Sequence, residues 1–105
     1  MVPREDLVKV ADFGRFLTSL GVRIDSLYLY GSRVRRKGRE SSDIDVAVIS
    51  GDFTGNFLDD LEKIMPALLQ SDPAIEAVFF PPEDFQEENP LVWEILHTGV
   101  KISPS

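Results

Sequence analysis

Two aspartates, Asp43 and Asp45, flank one isoleucine at the start of the apolar run Val46-Ala47-Val48-Ile49. Residues i and i+2 of a strand share a face, so the two carboxylates stand side by side. Like charges that close repel, and burial adds a desolvation cost. A divalent cation such as Mg²⁺, bound through carboxylate and phosphate oxygens, removes both penalties. Upstream, Gly31-Ser32 closes the apolar run Leu27-Tyr28-Leu29-Tyr30. A glycine after a strand lets the backbone pass close to a ligand. A serine there can cap the next helix or bond a phosphate, and the free amides of a helix start favour anions. One strand end therefore offers a phosphate cradle, and the next offers a carboxylate pair for a metal.

Gly31-Ser32, ten intervening residues and then Asp43-Ile44-Asp45 resemble the signature of the DNA polymerase β-like nucleotidyltransferase superfamily. The likeness is closest to its minimal nucleotidyltransferase members, single domains that prokaryotes often encode beside a HEPN protein. The resemblance implies an α/β (α+β) nucleotidyltransferase fold, with a small mixed β-sheet flanked by helices. It implies metal-assisted transfer of a nucleotide, with Asp43 and Asp45 as the main metal ligands. The strand after the central helix carries a third catalytic and metal-binding carboxylate in that family, and Glu76 is the matching position. Gly31, Ser32, Arg33, Arg35 and Ser42 would hold the nucleoside triphosphate. Two Mg²⁺ ions are implied, with ATP as the donor of AMP.

A chain this short has no room for the acceptor-binding domain of larger relatives, so a partner is expected. By resemblance this is a helical HEPN-type protein in a toxin–antitoxin-like pair, modified on a tyrosine or other hydroxyl. A homo-oligomer, or a small acceptor held by a second subunit, is the other option. One departure is visible: many members carry glycine where this chain has Arg36, and the glycine falls two residues later at Gly38. The alternative function is a non-catalytic nucleotide- or partner-binding module that neutralises or scaffolds a HEPN-like protein.

The chain has 105 residues, which suits one domain spanning 1–105 with one modest core. It is 43% hydrophobic and 28% charged, as in an ordinary soluble globular protein. With no cysteine there are no disulfides and no thiolate metal sites. The apolar runs are too short to span a bilayer, and the acidic, mixed start is unlike a signal peptide, so a cytoplasmic location is the expectation. The net charge of −7 hides an asymmetry. Arg33, Arg35, Arg36, Lys37 and Arg39 lie in seven residues free of acid, leaving six bases against eighteen acids elsewhere. Such a body repels nucleic acid broadly, while the basic loop can attract a triphosphate or an acidic partner.

Helical spacing of Leu7, Val10, Phe13, Leu17 and Leu20 predicts a core-packing helix over 4–20 that Gly21 ends. Strands are expected at 25–30 and 44–50, with a short helix at 32–36 between them. A helix over 56–70, capped by Asn56, presents Phe57, Leu58, Leu61, Ile64, Met65, Leu68 and Leu69 as its apolar face. Pro66 inside it predicts a kink or an end near Met65. A third strand at 74–80, a short acidic helix at 82–88, a last helix at 90–98 capped by Asn89, and a short strand at 100–102 complete the chain. His97, the lone histidine, sits far in sequence from the acids and reads as a surface or packing residue.

Overall fold

In the computed structural model, which describes residues 2–31, 34 and 43–102, the chain is organised around β2 (Ile44–Ile49). On one side β2 pairs antiparallel with β1 (Ser26–Tyr30), and on the other parallel with β3 (Ile75–Phe80). A two-residue β4 (Val100–Lys101) pairs antiparallel with β1, giving the order β3-β2-β1-β4. The sheet is therefore mixed, with helices on both faces.

Strand alternation divides the core. Leu27 and Leu29 of β1 and Ile44, Val46 and Val48 of β2 face α1 (Arg4–Ser19) and α2 (Phe57–Gln70). Val10, Phe13, Leu17, Ile64 and Ala67 fill that side. Tyr28, Tyr30, Ala47, Ile49, Val78 and Phe80 face the opposite way, against Ile95 of α3 (Pro90–Thr98). β2 is thus covered on both faces, which is why its sequence is apolar throughout.

The helix ends follow local chemistry. Gly21, at φ +92°, turns the chain out of α1, and Val22 N–H donates back to the Leu17 carbonyl at 3.0 Å, as in a glycine-terminated helix. The Asn56 side chain accepts from Asp59 N–H, and that of Asn89 from Leu91 N–H. The loop before α2 is tied by a buried acid with no obvious sequence signal. The Asp60 carboxylate accepts from Thr54 N–H at 2.8 Å, Thr54 Oγ1 at 3.1 Å and Gly55 N–H at 2.9 Å. Asp60→Ala is expected to cost about 1–3 kcal/mol, because those donors lose a charged acceptor. A urea midpoint that does not move would contradict this.

Three expectations need correction. Pro66 neither ends α2 at Met65 nor shortens it, since the helix runs on to Gln70. The carbonyl its ring deprives of a partner is that of Glu62, and both residues are exposed, so water can serve it. The expected acidic helix at 82–88 is only a 3₁₀ turn, Pro82–Asp84. It lacks the apolar spacing that would pin a longer helix to the core. Finally, much of the predicted apolar face of α2 is open, with Phe57, Leu58, Met65 and Leu69 exposed. No helix among the described residues is long and apolar enough to cross a membrane.

Candidate active site

The chemistry gathers where three strands end on the α3 face. Register places Tyr30 opposite Asp45, and Asp45 beside Glu76. Asp43, two residues before Asp45, shares that face by the period of the strand. Tyr30 is the last residue of β1, and Gly31 follows at φ +81°. This left-handed conformation is strained for any residue with a Cβ. A Cβ at Gly31 would also collide with the Asp45 carboxylate. Glycine here serves two needs at once, the turn and the close approach to Asp45. Val34 N–H donates to the Gly31 carbonyl at 3.1 Å.

The electrostatics are those of crowded acids. Burial, then the charges of Asp43 and Glu94, raise the Asp45 pKa above the usual aspartate value. A hydrogen bond shared with Asp43 is the main cause of a raised Glu76 pKa, followed by the charge of Asp43, desolvation and the charge of Asp45. The Tyr30 hydroxyl is pushed up to about 12 by burial and by Asp45, Glu94 and Glu76. Tyr30 is therefore a neutral phenol that walls the site.

Glu94 was not singled out from the sequence. It projects from α3, beside Ile95, which packs on the same face of the sheet as Tyr30 and Ala47. The signal for it is faint: an acid next to core residues Val92 and Ile95, on a helix whose partner strand cannot be read locally.

Of the sequence-predicted residues, Asp43, Asp45, Glu76 and Gly31 come together. Ser32, Arg33, Arg35 and Ser42 lie outside the described residues, as does most of the short helix expected at 32–36. Asp43 and Glu76 are exposed, and Asp45 is half-buried, so the acid edge is open to ligand. Among the described residues, no three such side chains stand ready-made in ligating positions around one point. Asp43 and Glu76 instead meet each other through their hydrogen bond. The donor set still suits a hard divalent cation: all oxygen, mutually repelling, and set beside a turn that only glycine fits.

His97 takes no part in this cluster. It stacks on Trp93, with ring centroids 4.3 Å apart, and meets Glu87 at 3.2 Å on the exposed side of α3.

A family model described as "Polymerase beta, Nucleotidyltransferase" matches residues 17–103. No curated protein matches the chain. Among solved structures, the chain is similar to a provisionally assigned nucleotidyltransferase from Sulfolobus solfataricus. The match has 16% identity, a TM-score of 0.60, and covers 92% of this chain and 82% of that one. At that identity the likeness speaks for the fold. The matched stretch holds all four strands, Gly31, both aspartates and Glu76, and the chain belongs to the polymerase β-type nucleotidyltransferase family.

Proposed function

We infer that the chain is a Mg²⁺-dependent nucleotidyltransferase that moves AMP from ATP to a hydroxyl of a partner protein. The observation that supports this reading best is the packing of Gly31 on Asp45, next to Glu76 in register. It sets Gly31 directly against the Asp45 carboxylate, where the phosphates would be accepted in this reading.

In this reading Asp43, Asp45 and Glu76 would hold the metal, with two ions in the full complex. When bound, the metal supplies charge neutralisation for the triphosphate and acidifies the attacking hydroxyl. The chain's own residues do the rest. Gly31 lets the phosphates approach the strand end. Ser32 and nearby backbone amides would hold the β- and γ-phosphates, Ser42 would bond a phosphate, and Arg33 or Arg35 would offset the developing negative charge. The acceptor oxygen forms a bond to the α-phosphorus as the bond to the β-phosphate oxygen breaks and pyrophosphate leaves. The acceptor proton would pass to Glu76, which lies beside Asp45 in register and is exposed at the open acid edge.

The acceptor fits a HEPN-type helical protein, whose modification would make this chain an antitoxin of the cytoplasm. Incubating the chain and such a protein with ATP labelled at the α-phosphate should label the partner. Label at the γ-phosphate should stay in solution. Transfer of the γ-label, or none from either position, would refute the reading.

Glu76→Gln should lower turnover by roughly 10²–10⁴-fold, the usual contribution of a positioned base. ATP binding should survive in part. Turnover equal to wild type would return Glu76 to the role of a surface acid.

A second reading, a binding module without catalysis, draws on the absence of a ready-made three-ligand cluster among the described residues. It predicts ATP binding with no label transfer.

A further inference from the structure

The exposed flank of α2 and the outer edge of β3 form one surface. Among the described residues β3 is an edge strand of six residues, continuous in register with β2 and carrying no proline, lysine or bulge. Native proteins usually blunt such an edge or cover it. At the opposite edge β4 is only two residues long. The carbonyls of Ala74, just before β3, and of Phe80 at its end accept from Ile44 N–H and Ser50 N–H. The even-numbered residues therefore address β2. By alternation Ala77 and Phe79 turn their N–H and C=O groups outward. Pro81, which has no N–H, limits the outer ladder.

The apolar flank of α2 lies on the same side. Lys63 borders a cavity with Leu20, Gly21 and Val22 at the end of α1, which fixes the side of α2 that faces its neighbour. Helical geometry puts Leu58, Leu61, Met65 and Leu68 on the other flank, over the open edge. Phe57 stacks on Phe79 with ring centroids 5.5 Å apart, joining the helix to the edge strand. Leu58, Met65 and Leu69 are 70%, 37% and 78% exposed, and Phe57 is 63% exposed. Together they leave an apolar patch of roughly 400–500 Å², the size of the largest patch on a typical monomer, which is often functional.

We propose that this surface binds a second copy of the chain, through antiparallel β3–β3 pairing with α2 packed on α2. A two-fold axis through Val78, perpendicular to the sheet, pairs Ala77 with Phe79 of the second copy. All four outward groups of those residues are then satisfied. The same axis keeps both α2 helices on one face and runs them antiparallel. Strands are about 4.8 Å apart, so helices lying over the β2–β3 half of each sheet come about 10 Å apart, a normal packing distance. The exposed apolar flanks of the two helices, Leu58 and Met65 among them, then face each other. Asp59 and Glu62 border the same depression as Leu58, Leu61 and Met65, at the rim of the contact. The strand edge itself carries only Glu76, while Asp59 and Glu62 add like charge at the rim of the helix contact, so added salt should tighten the association. With the strand edge added, each copy approaches the roughly 800 Å² of a standard interface.

Sedimentation equilibrium at about 50 µM should give twice the chain mass. Leu58→Glu with Leu69→Glu should give the single mass with an unchanged circular dichroism spectrum, since both side chains are already exposed. A Val78→Cys variant supplies the only thiol in the chain, on the axis. Its Cα should lie about 4.5 Å from its mate, within disulfide range, so mild oxidation should cross-link most of the protein. A monomeric wild type would overturn the proposal. So would a dimer that survives both glutamates and fails to cross-link at position 78.

Discussion

Asparagine at both Asp43 and Asp45 is expected to abolish nucleotidyl transfer, by a factor on the order of 10³ or more. Metal-dependent nucleotide binding should go with it. The fold should remain and gain stability. Burial and the charges of Asp43 and Glu94 hold the Asp45 pKa above its ordinary value, so the native chain keeps that proton to higher pH than the unfolded chain does. Stability then falls as pH rises from the usual aspartate range through the raised native value, and the deficit is complete above it. Removing the charge restores that stability at pH 7 and gains nothing near pH 3, where both states are protonated. For a domain of this size, each ~1 kcal/mol recovered lifts the Tm by roughly 4–8 °C. Thermal melts of Asp45→Asn at pH 7 and pH 3 measure the difference. A variant less stable than wild type at pH 7 would mean that Asp45 holds the fold together, as an ordinary structural acid does.

Gly31→Ala should be the most damaging single-methyl change at the site. The residue sits at φ +81°, and its Cβ would strike the Asp45 carboxylate. Left-handed backbone costs an alanine about 1 kcal/mol or more. The collision adds to this unless Asp45 swings away, which would remove one of the proposed metal ligands. The expected result is a destabilisation of about 1–3 kcal/mol together with near-complete loss of transfer. The two effects separate in a second variant: Gly31→Ala combined with Asp45→Ala should recover the part of the stability due to the collision, and no activity. If Gly31→Ala alone melts and turns over like wild type, the turn does not press on Asp45 as described.

The sequence disclosed the parts of this site that strand periodicity governs. Asp43 and Asp45 share a face because the side-chain period is two, and the glycine is conspicuous because it breaks an apolar run. The α2 and α3 starts were legible because Asn56 and Asn89 are local caps, each working within three residues. What escaped is what depends on distant partners. Glu94 reaches the acids only because α3 packs on the far face of the sheet, a choice no local pattern encodes. Asp60 is buried only because the Thr54-Gly55 loop folds over it. The α2 flank failed for the opposite reason. Its apolar spacing is real, but one helix face is wider than one monomer's core can cover, and amphipathicity does not say what covers the rest.

The most direct test of the central claim is calorimetric titration of the chain with ATP, with Mg²⁺ and then with chelator, repeated on the Asp43→Asn/Asp45→Asn variant. The site described here predicts binding that needs the metal and vanishes in the variant. Equal binding in variant and wild type, equal binding with and without Mg²⁺, or no binding by the wild type at millimolar ATP would contradict it.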